Sequence, residues 1–182
     1  MKWLKVLSDF FTIRDLIFLI LGAGIIIIIL IKAVWFIFRR EKRFFNNLKK
    51  KIIIFAPPKS TSKDSEKPED MQMELDLLRK THFFPNLPGE IFKNTSHNNL
   101  QAIKKDTLVI VGYNKTLKEE YFLKILNKAK EFNVPLILYG YNQLEGKGFD
   151  EIKKYPHHSM CETGLRLVND VFTTLATYPY GN

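Results

Sequence analysis

The sequence predicts an α/β protein in which one N-terminal transmembrane helix is followed by a Rossmann-like or flavodoxin-like domain with a mainly parallel sheet of about four strands. Three observations predict it. Leu16 to Phe38 is apolar throughout except for Lys32, and about 20 apolar residues at 1.5 Å rise cross a hydrocarbon core roughly 30 Å thick. Beyond that run, short β-branched stretches alternate with longer segments of helical periodicity. Parallel strands need such crossovers, and right-handed ones cover a sheet on both faces.

The elements follow in order. In residues 1–15, "MKWLKVLSDFFTI" brings Trp3, Leu7, Phe10 and Phe11 near one helical face, as expected of a segment lying in the membrane interface. Residues 16–38 form the span. A buried core helix of that length would carry a polar face. A cleaved signal peptide would be shorter and end in a small-x-small site, whereas Arg14 and Asp15 precede this run and no such site follows. Residues 39–51 are a basic juxtamembrane linker holding Arg39, Arg40, Lys42, Arg43, Lys49, Lys50 and Lys51, against Lys2, Lys5 and Arg14 before the span. Seven basic residues against three place the N-terminus outside and the C-terminal domain in the cytoplasm, at an inner (cytoplasmic) membrane.

Residues 52–182 are expected to form the cytoplasmic domain. "KIIIFAP" is a strand stopped by Pro57 and Pro58. "APPKSTSKDSEKPED", Ala56 to Asp70, is a low-complexity loop. "KPEDMQMELDLLRK" starts with a proline and acids, aligns Met71, Leu75 and Leu78, and closes on Arg79 and Lys80, the charge order a helix dipole favours. "GEIFKN" reads as a weaker strand and "NNLQAIKK" as a short helix. "DTLVIVGYN" is a strong buried strand, and "LKEEYFLKILNKAKEF" aligns Phe122, Ile125, Leu126, Ala129 and Phe132. "VPLILYGY" is the fourth strand. A last helix, "ETGLRLVNDVFTTLATY", offers Leu165, Val168, Phe172 and Leu175 to the core.

Charge and cysteine content exclude several functions. The net charge of +9 is concentrated in residues 1–51, where eleven Lys and Arg meet three acids, while residues 52–182 hold seventeen against sixteen. That distribution suits membrane topology and anionic headgroups rather than duplex nucleic acid. One cysteine, Cys161, excludes an intrachain disulfide and fits a reducing compartment. "YPHHSMCET" offers His157, His158 and Cys161, but His82 and His97 stand at no metal-site spacing, so no metal, no catalytic residue and no cofactor is expected. It reads as a polar loop before a capped helix. No Walker loop, GxGxxG or nucleophile elbow is present.

In parallel sheets ligands gather at the carboxyl ends of the strands. The candidates there are Lys59, Ser60 and Thr61 after the first strand, Gly112, Tyr113, Asn114, Lys115 and Thr116 at the next strong one, and Tyr141 and Asn142 at the fourth. Arg166, with Thr163, is available for a phosphate at the start of the last helix. Lysines pair with phosphate and tyrosine faces stack on bases, which suits a phosphate- or base-bearing ligand. For each position the competing reading is an ordinary polar loop, and glycine at 112 or 140 serves turn geometry.

"AIKKDTLVIVGYNKTLKEEYFLKILNKAKEFNVPLILYGY" resembles the middle of TIR-like domains. The plan of one membrane helix and a small Rossmann-like domain resembles CRISPR-associated membrane effectors with a CARF domain, which bind cyclic oligoadenylates. TIR enzymes that split NAD place a glutamate about four residues beyond an aromatic; here that offset meets Ile125 or Leu126, with Glu119 and Glu120 a turn earlier. The Gly-Gly-Thr-Lys-like turn of CARF domains is missing. What the resemblance implies is an effector of prokaryotic antiviral defence. Its domain would bind a nucleotide second messenger, and its helices, assembled as a homo-oligomer of two or four chains, would depolarise the membrane. Lys32 would then line a pore, and Gly22 to Gly24 would let helices approach closely; otherwise Lys32 reaches toward the headgroups. The alternatives are a membrane-anchored TIR-like NAD or nucleotide hydrolase and a non-enzymatic scaffold.

Overall fold

The computed structural model describes residues 13–57, 70–113, 119–140 and 148–178. Two compact units divide at Arg43 and Phe44. Helix α1, Ile13–Leu48, is the one described helix long and apolar enough to cross a membrane, with a mean hydropathy of 3.0 over its most apolar window. Its apolar side chains from Leu16 to Phe38 are exposed all round. The helix passes through residues 39–48 without a break, and Phe44 and Leu48 belong to the second unit.

That second unit is an α/β domain built on four parallel strands, β1 (Lys51–Phe55), β2 (Thr107–Tyr113), β3 (Leu136–Gly140) and β4 (His158–Cys161), hydrogen-bonded in the order β1-β2-β3-β4. Helices α2 (Gln72–Lys80), α3 (His97–Gln101), α4 (Glu119–Phe132), α5 (Gly148–Lys153) and α6 (Gly164–Thr177) alternate with them. Strand alternation sorts the core into two layers. Ile52, Ile54, Leu108, Ile110, Ile137, Tyr139 and Cys161 meet α2 and α6 through Met71, Leu75, Leu78, Leu167, Val171 and Leu175. On the opposite face Ile53, Phe55, Val109, Val111, Leu136 and Leu138 meet Ile103, Phe122, Ile125, Leu126, Ala129, Ile152 and Tyr155. β1, β2 and β3 are each covered on both faces, so they read as unbroken apolar runs.

Local chemistry sets the boundaries. Helix α4 ends on Asn133, which holds φ 51 while Val134 N–H bonds Ala129 O and Asn133 N–H bonds Lys130 O. That is a Schellman closure with asparagine in the left-handed position. Helix α6 starts at Thr163, whose side chain accepts from Arg166 N–H, an ordinary hydroxyl cap.

Three expectations are corrected. "GEIFKN" forms no strand: Phe92 makes a single parallel bridge to Phe55. Asn86 and Phe92 follow the outer edge of β1, with Phe92 N–H on Ile54 O and Ala56 N–H on Phe92 O, both at 2.9 Å. Pro85 and Pro88 supply no N–H for a longer ladder. "VPLILYGY" forms β3, and a further strand, His158–Cys161, lies inside the segment read as a polar loop. His158, Ser159 and Met160 are half-exposed because an edge strand has one neighbour, so polar side chains are tolerated, while Cys161 is buried. Leu165 is 79% exposed, and the buried stripe of α6 is Leu167, Val171 and Leu175, with Val168 and Phe172 on its flank. The i, i+4 spacing from 167 fixes the face, and a first-turn leucine falls outside it. The strand order is sequential, unlike the 3-2-1-4-5-6 and 2-1-3-4-5 orders of Rossmann and flavodoxin sheets, because the edge of β1 where another strand would add is taken by Asn86–Phe92.

Candidate functional site at the carboxyl edge of the sheet

The strand register places the expected site. Phe55 pairs with Val111 and Tyr113 with Gly140, so the chain leaves β1, β2 and β3 side by side along one edge. Lys59, Ser60, Thr61, Asn114, Lys115, Thr116, Tyr141 and Asn142 follow those ends and lie outside the described residues. β1 continues to α2 on one face and β2 to α4 on the other, the arrangement in which α/β sheets form a ligand crevice between neighbouring strand ends.

The α2 side of that crevice is filled. A methyl group built on Gly112 would stand 2.7 Å from both Met71 Sδ and Pro57 Cδ, so Gly112 is glycine for packing, within β2 rather than in a loop. Met71 sits at φ 59 ahead of α2, fully buried. That left-handed turn delivers the thioether beneath β2, and Asp70 Oδ1 holds it by accepting from Gln72 N–H at 3.1 Å.

On the α4 side stand two tyrosines. Tyr113 is half-buried at the end of β2, and its hydroxyl is pushed above its usual range by that burial. Tyr121 donates to Ala56 O at 2.9 Å, tying α4 to the end of β1, and burial raises it further. Both therefore remain neutral hydrogen-bonding groups at ordinary pH. Arg166 is exposed in the first turn of α6, beyond β4. Two residues before it, Gly164 lies against Leu77 of α2, so the first turn of α6 packs beside that helix.

A cleft of about 510 Å³ lies against the outer flank of β1, within the size range of small-molecule sites. Asp70 and Gln72 at the start of α2, Glu90 to Lys93, and Asn99 of α3 line it. Asn99 is oriented by Asn94, whose side-chain oxygen accepts from Asn99 Nδ2 at 2.8 Å. The set offers amide and carboxylate groups to a base edge and one ammonium, Lys93, to a phosphate. Composition alone puts Glu90 to Lys93 in the sheet and hides this lining; Pro85 and Pro88 ahead of them are the signal for a flanking segment.

The histidine and cysteine segment is structural. His157 packs edge-on between the rings of Tyr155 and Tyr178, and the His158 ring bonds Tyr155 O. Ser159 donates to Asp170 at 2.6 Å, joining β4 to α6. Burial pushes the Cys161 thiol up to about 12, leaving it a poor nucleophile and metal ligand. Among the described residues no three His, Cys, Asp or Glu side chains converge. In α1, Lys32 is exposed along with its apolar neighbours.

No protein-family model matches the chain. No curated protein and no solved structure matches it either.

Proposed function

We propose that this chain is a membrane effector whose C-terminal domain, on the cytoplasmic side of an inner membrane, binds a nucleotide second messenger of the cyclic oligoadenylate type. In this reading it acts in prokaryotic antiviral defence, and binding rearranges a homo-oligomer of two or four chains so that the bilayer helices depolarise the membrane. The observation that carries it is the convergence of three strand ends beside a cleft of nucleotide size, in a domain joined to one long apolar helix. A ligand moves the helices only if it prefers one arrangement of the oligomer. The basic residues at 39–51 favour this orientation.

The test is a melting-shift screen of the full chain in detergent against cyclic di-, tri- and tetranucleotides and NAD. Stabilisation by a cyclic nucleotide that is recovered intact is expected. Lys93→Ala, Lys59→Ala and Lys115→Ala each report on phosphate recognition, and removing a lysine that engages it should weaken binding by about 1.5–3 kcal/mol. Unchanged affinity in all three would move the site elsewhere. The carboxylates Asp70 and Glu90 in the cleft favour a second reading, a nucleotide or NAD hydrolase. Loss of the nucleotide on incubation would select it. No shift with any nucleotide would favour a scaffold.

A further inference from the structure

At the opposite end of the sheet from the candidate site, four phenylalanines form a continuous chain of rings. Phe45 meets Phe44 at 5.6 Å, Phe44 meets Phe172 at 5.8 Å, and Phe172 meets Phe83 at 5.7 Å. The inner two are partly buried against the core, whereas Phe45 and Phe83 remain 58% and 55% exposed. Single exposed apolar side chains need no explanation, but two aromatic rings presented from one packed cluster do. Lys49, Lys51 and Lys80 flank them in sequence and are exposed, while the acid Asp106 is engaged by Lys50 at 2.7 Å.

We infer that this aromatic edge is a lipid-contact surface, which rests on exposed rings joined in one packed chain and flanked in sequence by exposed lysines, and that it lies in the headgroup layer of an anionic bilayer. The inference depends on the membrane-anchoring part of the proposed function and not on the messenger. Phe45 stands seven residues beyond Phe38, the last residue of the apolar run, a helical path of about 10 Å. The polar layer of a bilayer extends about 5–7 Å beyond the hydrocarbon on each side. Phe45 is therefore held by the chain itself within a short reach of that layer, and Phe83 is bound to it through Phe172 and Phe44. Aromatic rings partition to the interface while lysines draw the surface to anionic lipid. A soluble protein partner would have to compete with a bilayer that the tether never lets go.

The experiment uses the full chain in nanodiscs that hold one copy, with lipids brominated near the headgroup. A Trp3→Phe chain retains Trp35 in the span as the anchoring control. A chain carrying Trp3→Phe, Trp35→Phe and Phe83→Trp reports on the edge, with Phe45→Trp in place of Phe83→Trp as the second reporter should the first not fold. The expected result is that the brominated lipid quenches the indole introduced at position 83 or 45, increasingly so as anionic lipid is added. Quenching of Trp35 with neither edge reporter quenched would overturn the surface and leave the anchor. An unquenched Trp35 would overturn both. A change at the edge only when two copies share a disc would replace the lipid with a second copy of this chain.

Discussion

Replacing Gly112 by alanine adds one methyl group where the structure has no room for it. The new Cβ would lie 2.7 Å from Met71 Sδ, 2.7 Å from Pro57 Cδ and 3.0 Å from Met71 Cγ, against an ordinary contact of about 3.5–4.0 Å. The overlap comes from two sides, and they yield differently. Pro57 is a ring fixed to the backbone just past β1, whereas Met71 is flexible but fully buried at a left-handed turn. Overpacking of this kind costs about 1–3 kcal/mol, which in a domain of this size lowers Tm by about 3–15 °C. Urea denaturation of the full chain in detergent, followed by near-ultraviolet circular dichroism, measures it. Met71→Ala removes one side of the clamp at its own cost of about 2–5 kcal/mol. In that background Gly112→Ala should therefore cost less, giving a sub-additive pair. A Gly112→Ala protein as stable as the parent, or strictly additive losses, would refute the packing role and return Gly112 to the ligand loop.

Tyr155→Phe removes a buried hydroxyl that donates to Val134 O at 2.6 Å and Ala129 O at 3.2 Å. It should destabilise the domain by about 1–3 kcal/mol in the same assay, because the Val134 carbonyl is left dry. Alkaline pH should unfold the domain early. Cys161 ionises near 9.0 in an open chain but near 12 when folded, so the folded state keeps a proton that the unfolded state releases. Its contribution is complete below about pH 9 and falls by up to about 1.4 kcal/mol per pH unit above that. Tyr121 and Tyr155, also raised by burial, add to the loss only from pH 10 upward. Cys161→Ala should thus flatten the stability profile between pH 9 and 10. Lys32→Leu should leave insertion and ligand binding intact, and should alter conductance in a membrane-potential assay if Lys32 lines a lumen; unaltered conductance assigns the lysine to headgroup anchoring.

Periodicity made the inner structure legible. The apolar runs of β1, β2 and β3 and the i, i+4 stripes of α2 and α4 each report burial on a regular lattice, and the α4 residues Phe122, Ile125, Leu126 and Ala129 are all in the core. The edge was not legible, because β4 has one strand neighbour and carries His158 and Ser159, whose polarity is satisfied by Tyr155 O and Asp170. "GEIFKN" shows the converse: Ile91 and Phe92 have the composition of a strand, yet prolines nearby reduce the pairing to one bridge. For the site, sequence identified the strand ends but not the lateral cleft, since its lining comes from three segments that only the fold brings together. The role of Gly112 was hidden for the same reason, as its neighbours are 41 and 55 residues away in the chain.

The sequential order of the sheet also governs how the protein can be made. Each strand pairs with the one synthesised just before it, so the chain leaving the ribosome never has to hold a gap open for a later segment. β1 finds its outer edge closed by Asn86–Phe92 before β2 has emerged, and every subsequent strand has a single exposed edge on which to dock. Growth in one direction keeps the number of unpaired edges at one throughout synthesis, which limits the surface on which neighbouring nascent chains aggregate. In the proposed membrane setting, where the first helix would gather copies on one surface, that protection would act where unfinished chains meet.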